Sequence, residues 1–258
     1  MRLKFIKMVE NKLNFDETTK QRVFQQVMDI FVIPEIERRR KEGTIKDGTL
    51  ITKMQIVFNL DKGKNEVRLN EDVKAIVKGM ATRDIQKGEV VYEKDIDAIE
   101  DIELTDEDVN CGHITLLLFK NNWIISFDFR YNKEKVREHI EASKEFYETA
   151  THSLENNRLR AFYENAFATA ELSAISVLLT LPSKEILECR NHKKRLSQFK
   201  DWADLGNVKI EFSTTLSGLS ELRDSARYIH SDKFKEEDPN KIKDIIKEMV
   251  VFAENSIK

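Results

Sequence analysis

Apolar residues recur at two different periods along this chain, and the change falls near residue 130. From residue 16 to 42, Val23, Phe24, Val27, Ile30 and Phe31 recur at short steps that make the stripe of an amphipathic helix. Pro34 sits inside this span and predicts a kink or a division there, because proline lacks a backbone N–H and its ring collides with the carbonyl four residues back. Between residues 50 and 130 the period shortens. L-I-T-K-M-Q-I-V-F-N-L and N-E-V-R-L-N have strand character. I-T-L-L-L-F and W-I-I-S-F-D-F flank Lys120-Asn121-Asn122 and read as a β-hairpin, since Asn tolerates the positive φ of a tight turn. Glu93 to Asp108 threads isoleucines through nine acids and one lysine, and reads as a solvated edge or loop rather than a metal-binding cluster.

From Tyr131 onward the helical period takes over. One helix is predicted from about Lys133 to Leu154. A second begins after Asn156-Asn157 and runs until Pro182 stops it. From Ala166 this second helix is apolar around most of its circumference, which makes it the central helix of a bundle. A third is predicted over Lys184 to Leu205. A fourth carries the stripe Phe212, Leu216, Leu219, Leu222, Ala226 and Ile229. A fifth follows Asp238-Pro239, with the acid as N-cap and proline at the first helical position. The predicted fold class is α+β: an N-terminal α+β domain over residues 1–130, built of a helix and an antiparallel sheet, then a C-terminal all-α bundle over residues 131–258.

Composition narrows the function. Charged residues make up 34% and apolar ones 40%, and no apolar run approaches the ~18 residues that a membrane span needs. The basic, polar start M-R-L-K-F-I-K lacks the apolar core of a signal peptide. Cys111 and Cys189 have no CxxC partners and no histidines at zinc-ligand spacing, so both are expected to be reduced, in a cytoplasmic protein without metal or cofactor. The net charge is −3, so any nucleic-acid site must be a local patch on a mildly acidic body. There is no Walker lysine loop, no G-x-S-x-G and no metal motif, which leaves an NTPase, a serine hydrolase or a metalloenzyme without support.

The candidate chemistry lies in L-R-D-S-A-R-Y-I-H-S-D. Arg223 and His230 are seven residues apart, so on one continuous helix they leave the same face. A guanidinium can neutralise a phosphorane, and an imidazole moves protons near neutral pH. With 15 Arg and 5 His in the chain, an Arg followed by a His at this distance is expected about once by chance, so placement carries the reading. Arg223 lies roughly 40° around from Leu219, and His230 the same angle from Ala226, at the edge of the buried stripe rather than opposite it. The competing reading is a helix-edge arginine with a histidine favoured by the helix dipole.

This C-terminal half resembles the HEPN superfamily, whose members are small helical bundles with an R-x4-6-H signature on a late helix. Here the signature is Arg223-Asp224-x5-His230, and the helix opening N-R-L-R-A-F-Y-E-N-A-F is similar to the family's second helix. The resemblance covers residues 131 to 258. It implies a metal-independent RNA endonuclease, of the defence or toxin type, that joins as a homodimer through the bundle to form a composite site. It also implies roles: His230 as general acid/base, Arg223 on the scissile phosphate, and Asp224 orienting Arg223 or capping a backbone group. Arg227 is either a further phosphate ligand or a structural salt bridge. Glu164 and Glu171 on the second helix approach the groove, unless Glu171 only offsets an arginine.

An RNA track is offered by residues 183 to 200, with six Lys/Arg against two acids; Arg190, Lys193, Lys194, Arg195 and Lys200 are its candidates, and the competing reading is a solvated helix face. His192 within that run reads as a surface histidine. Residues 1–130 would then sense a signal, regulate, or recruit substrate. The alternative function is a non-catalytic HEPN module that binds nucleotide or RNA or serves dimerisation.

Overall fold

The computed structural model describes residues 6–8, 16–228 and 237–257. The chain is α+β and divides into two compact units, Met1–Phe129 and Arg130–Lys258.

In the first unit, β1 (Ile6–Met8) precedes a helix that is interrupted where Pro34 demands it. Asp16, in extended backbone, starts α1 (Glu17–Val27) by accepting the Thr19 N–H at 2.7 Å. Met28–Val32 then widen into a π turn, and α2 (Ile33–Lys41) carries Pro34 in its first turn. Pro34 has no N–H to offer Ile30, and the Ile33 N–H reaches back five residues to the Met28 carbonyl instead. The extra residue in that turn shifts the helical phase. Val32 therefore takes a fully buried place and Ile30, predicted on the apolar face, is 62% exposed.

The remaining strands are β2 (Lys53–Phe58), β3 (Glu66–Leu69), β4 (Ala75–Ala81), β5 (Ile96–Leu104), β6 (Gly112–Phe119) and β7 (Asn122–Asp128). Five form a sheet in the order β1-β7-β6-β2-β3, in which only the β1–β7 pairing is parallel. The β6–β7 turn has positive φ at Lys120 and Asn121, the backbone that matches strand twist in a two-residue hairpin. One sheet face presents Met54, Ile56, Leu69, Ile114, Leu116 and Ile125 to Phe24, Val27 and Val32. Arg39 of α2 donates to the Val67 carbonyl on edge strand β3, which blunts that edge.

The opposite face carries a buried polar row. Gln55 is paired in register with Arg68 on one side and Thr115 on the other. Gln55 donates to Thr115 Oγ1 at 3.2 Å and accepts from Arg68, which also reaches Asp108 at 2.6 Å. The Glu93–Asp108 stretch, predicted as a solvated edge or loop, is in its centre the strand β5, paired with β4. Ile99 and Ile102 are buried beside Ile124, while Asp97 and Glu100 face solvent. The register skips Glu100, so a bulge brings both isoleucines to one face. Gly79 sits at this irregularity, where a Cβ would collide with the Ala98 carbonyl oxygen.

The second unit is all-helical: α3 (Lys133–Glu155), α4 (Leu159–Leu179), α5 (Lys184–Glu188), α6 (His192–Asp204), α7 (Ile210–Arg227) and α8 (Pro239–Asn255). The helix predicted over Lys184 to Leu205 is in fact two. Asn191 accepts the Lys194 N–H and starts α6 anew, as Ser183 does for α5. α4 is the central helix. Phe162, Tyr163, Ala166 and Ala170 are fully buried, and α3, α7 and α8 pack around it. Small residues on α4 allow close approach: Ser143 of α3 donates to the Thr169 carbonyl at 2.9 Å and shares a hydrogen bond with Ser173. Asp238 caps α8 by accepting from the Asn240 N–H at 2.9 Å.

Candidate active site

The apolar stripe of α7 is present as predicted for Phe212, Leu216, Leu219 and Ala226, which are buried, with Leu222 packed at its margin. The helix ends just beyond the last buried residue of that stripe. Arg227 is its last residue, and Tyr228 is extended, with its N–H donating to the Asp224 carbonyl at 3.0 Å. Arg160 of α4 donates to the Ala226 carbonyl, one of the terminal acceptors a helix leaves open. His230 and Ile229 lie outside the described residues. The described part of the site is the Arg223–Arg227 end of α7.

What does organise it is a carboxylate on α4. Arg223 Nε lies 3.4 Å from Glu164 Oε2, and Arg227 Nε lies 2.6 Å from Glu164 Oε1 in an ion pair whose N–H is not aligned on the oxygen. The Arg223 guanidinium also stands 4.7 Å from the centre of the Phe167 ring, a cation–π contact. Glu164 and Phe167 are one turn apart on α4, so one face of α4 holds the arginine by charge and by stacking. Arg223 keeps 26% of its side-chain exposure and Arg227 48%. Asp224, predicted to orient Arg223 or to cap a backbone group, is exposed, and the carboxylate beside Arg223 is Glu164. Of the two readings of Arg227, the salt bridge is the one present, and it leaves about half the side chain open to solvent. Tyr228 is 60% exposed.

The basic run is placed on α6 and on the link before it. Arg190 and Lys193 are exposed. Lys194 pairs with Glu185, Arg195 donates to the Cys189 carbonyl, and Lys200 pairs with Asp204 at 2.9 Å. Sequence reasoning missed the pair that His192 makes: its Nδ1 meets the Glu171 carboxylate of α4. A carboxylate seven residues after Glu164 on a central helix was the available signal. Arg38, Arg39 and Arg40 of α2 are engaged with Glu35, Glu42, Asp72 and Asp47, so that cluster is mostly internally neutralised. A cleft of about 620 Å³ between α7 and α8 has Glu221, Glu237 and Asp238 against Lys241 at its rim, a poor setting for phosphate. Among the described residues no group of three or more His, Cys, Asp or Glu is placed to hold a metal ion, and no helix is long and apolar enough to cross a membrane.

Chemically, two partly exposed guanidiniums gathered on one carboxylate carry a net positive charge of about one and present fork-shaped donors suited to a phosphodiester. Compared with protein-family models, with curated proteins and with solved structures, the chain finds no match.

Proposed function

We propose that the C-terminal unit is a metal-independent RNA endonuclease of the HEPN type, acting in the cytoplasm in defence or as a toxin. The observation that carries this reading is the Arg223–Arg227 pair, held half-open at the edge of the α7 stripe by Glu164 and Phe167. Arg223 binds the scissile phosphate, Arg227 supports it, and His230, a few residues further along the chain, transfers protons. The substrate's own 2′-hydroxyl attacks phosphorus, the P–O5′ bond breaks, and the products are a 2′,3′-cyclic phosphate and a 5′-hydroxyl. Arg190, Lys193, Lys194 and Arg195 guide the strand, and the chain pairs as a homodimer through this bundle.

A second reading, a HEPN module that binds RNA or nucleotide without cutting it, is favoured by one feature: Arg223 and Arg227, both partly open beside Glu164, are groups that bind a phosphate without themselves moving a proton. Incubating the purified chain with cellular RNA in EDTA separates the two. Cleavage with cyclic-phosphate ends, lost in Arg223→Ala and His230→Ala at near-parental thermal stability, is the expected result. Intact RNA bound without cleavage selects the second reading.

A further inference from the structure

Glu164, Phe167 and Glu171 are spaced three and four residues apart and lie in one row along α4. Glu164 gathers Arg223 and Arg227 from α7, while Glu171 holds Nδ1 of His192, the first residue of α6. The Arg223 guanidinium stands over Phe167, and four residues of helical rise put Glu171 only about 6 Å further along the axis. Glu171, Arg195 of α6 and Leu216 of α7 line one crevice, so α6 and α7 converge at the Glu171 end of the row.

The two members of the Glu171–His192 pair differ in exposure. Glu171 keeps 14% of its side-chain exposure and is fixed by packing, whereas His192 keeps 65%. With Nδ1–H donated to the carboxylate, the neutral ring carries its lone pair on Nε2, the nitrogen left to solvent. An orienting carboxylate of this kind fixes the tautomer of a general base and stabilises the imidazolium once it forms. It also offsets the helix N-terminus, which otherwise disfavours a cation at the first residue of α6.

We propose that His192 is a proton-transfer residue of the RNA-cleaving site, with Glu171 as its positioning residue, so that a single chain holds a base and the phosphate-binding arginines on one face of α4. This inference rests on the RNA-cleaving reading. His192 Nε2 takes the proton of the 2′-hydroxyl, the O2′–P bond forms, the P–O5′ bond breaks, and the leaving 5′-oxygen takes its proton from the acid assigned above. Arg223 and Arg227 neutralise the phosphate throughout.

The test is single-turnover cleavage of a labelled single-stranded RNA by the full chain in EDTA, paired with ¹⁵N NMR of the His192 ring. His192→Ala is expected to slow cleavage by about 100-fold or more with RNA affinity unchanged, and Glu171→Gln to slow it by roughly tenfold. In alkaline buffer, where the ring is deprotonated, the NMR signature expected of the parent is the tautomer protonated on Nδ1, a preference that Glu171→Ala abolishes. His192→Ala cleaving at the parental rate, while His230→Ala is inactive, overturns this inference and leaves the RNA-cleaving reading standing. A parent that cuts no RNA overturns both. A parental ring protonated on Nε2 overturns the positioning by Glu171, whatever the cleavage assay reads.

Discussion

Replacing Glu164 with Gln separates what this carboxylate does for the fold from what it withholds from a ligand. In the parent it neutralises one of two guanidiniums, at 3.4 Å from Arg223 and 2.6 Å from Arg227. Both pairs are partly solvated, and pairs of this kind contribute roughly 0.2–1 kcal/mol each. Losing both should cost about 1 kcal/mol, or a fall of about 4 °C in Tm for a unit of this size. The Phe167 stack survives the change and keeps Arg223 in place. For an anion the sign reverses. A phosphate on Arg223 sits about 6 Å from the lost negative charge, a repulsion of ~0.7 kcal/mol at the dielectric constant of water and nearly ~3 kcal/mol at an effective value near 20. RNA should therefore bind between about 3-fold and about 100-fold more tightly, with the larger gain at low salt. Fluorescence anisotropy of a labelled single-stranded RNA at two ionic strengths, beside a thermal melt, measures both quantities. A Tm that falls as expected with RNA affinity unchanged or weaker would refute the placement of phosphate on this cluster and leave it a structural ion pair.

Three further outcomes follow from the same physics. Arg68→Ala should destabilise the N-terminal unit by about 3–5 kcal/mol in a urea melt, because it strands Asp108 and Gln55 in the interior, and a loss under about 1 kcal/mol would refute that account. Charge reversal of Lys193, Lys194 and Arg195 to Glu should weaken RNA binding several-fold and flatten its log–log salt dependence by roughly 0.7 for each phosphate no longer neutralised; an unchanged slope would mark this run as a solvated face. The Glu35 carboxyl is held below its ordinary value of 4.5 mainly by the hydrogen bond from Arg38 and further by Arg39. Its contribution to stability is thus complete above that value and disappears as pH falls through the lowered folded one. Glu35→Gln should flatten the acid limb of the stability curve, and an acid limb identical to the parent's would remove Glu35 from its cause.

Local rules written in the sequence determined most of the elements. Asp238-Pro239 starts α8, Asn157 and Pro182 bracket α4, and Lys120-Asn121 turns the hairpin, because caps, prolines and positive-φ residues act on the backbone within a few positions of themselves. The α+β class and the stripe of α7 follow from periodicity, which is also local. Arg223 was legible as a candidate because its angle from Leu219 puts it at the margin of that stripe.

Tertiary structure decided the rest. The end of α7 at Arg227 is accompanied by a bond from Arg160, 66 positions back in the chain. Glu164 stands beside Arg223 because α4 and α7 pack face to face, a meeting of helices 59 positions apart that no local spacing shows. The strand within Glu93–Asp108 exists because β4 pairs with it and a bulge realigns its isoleucines, neither of which alternation along one segment reveals. His192 is the surface histidine its basic run predicts, at 65% exposure, but only the packing of α6 on α4 sets it against Glu171. Charge neutralisation across helices depends on which faces meet, and that is fixed by the packing of the bundle rather than by any single stretch of the chain.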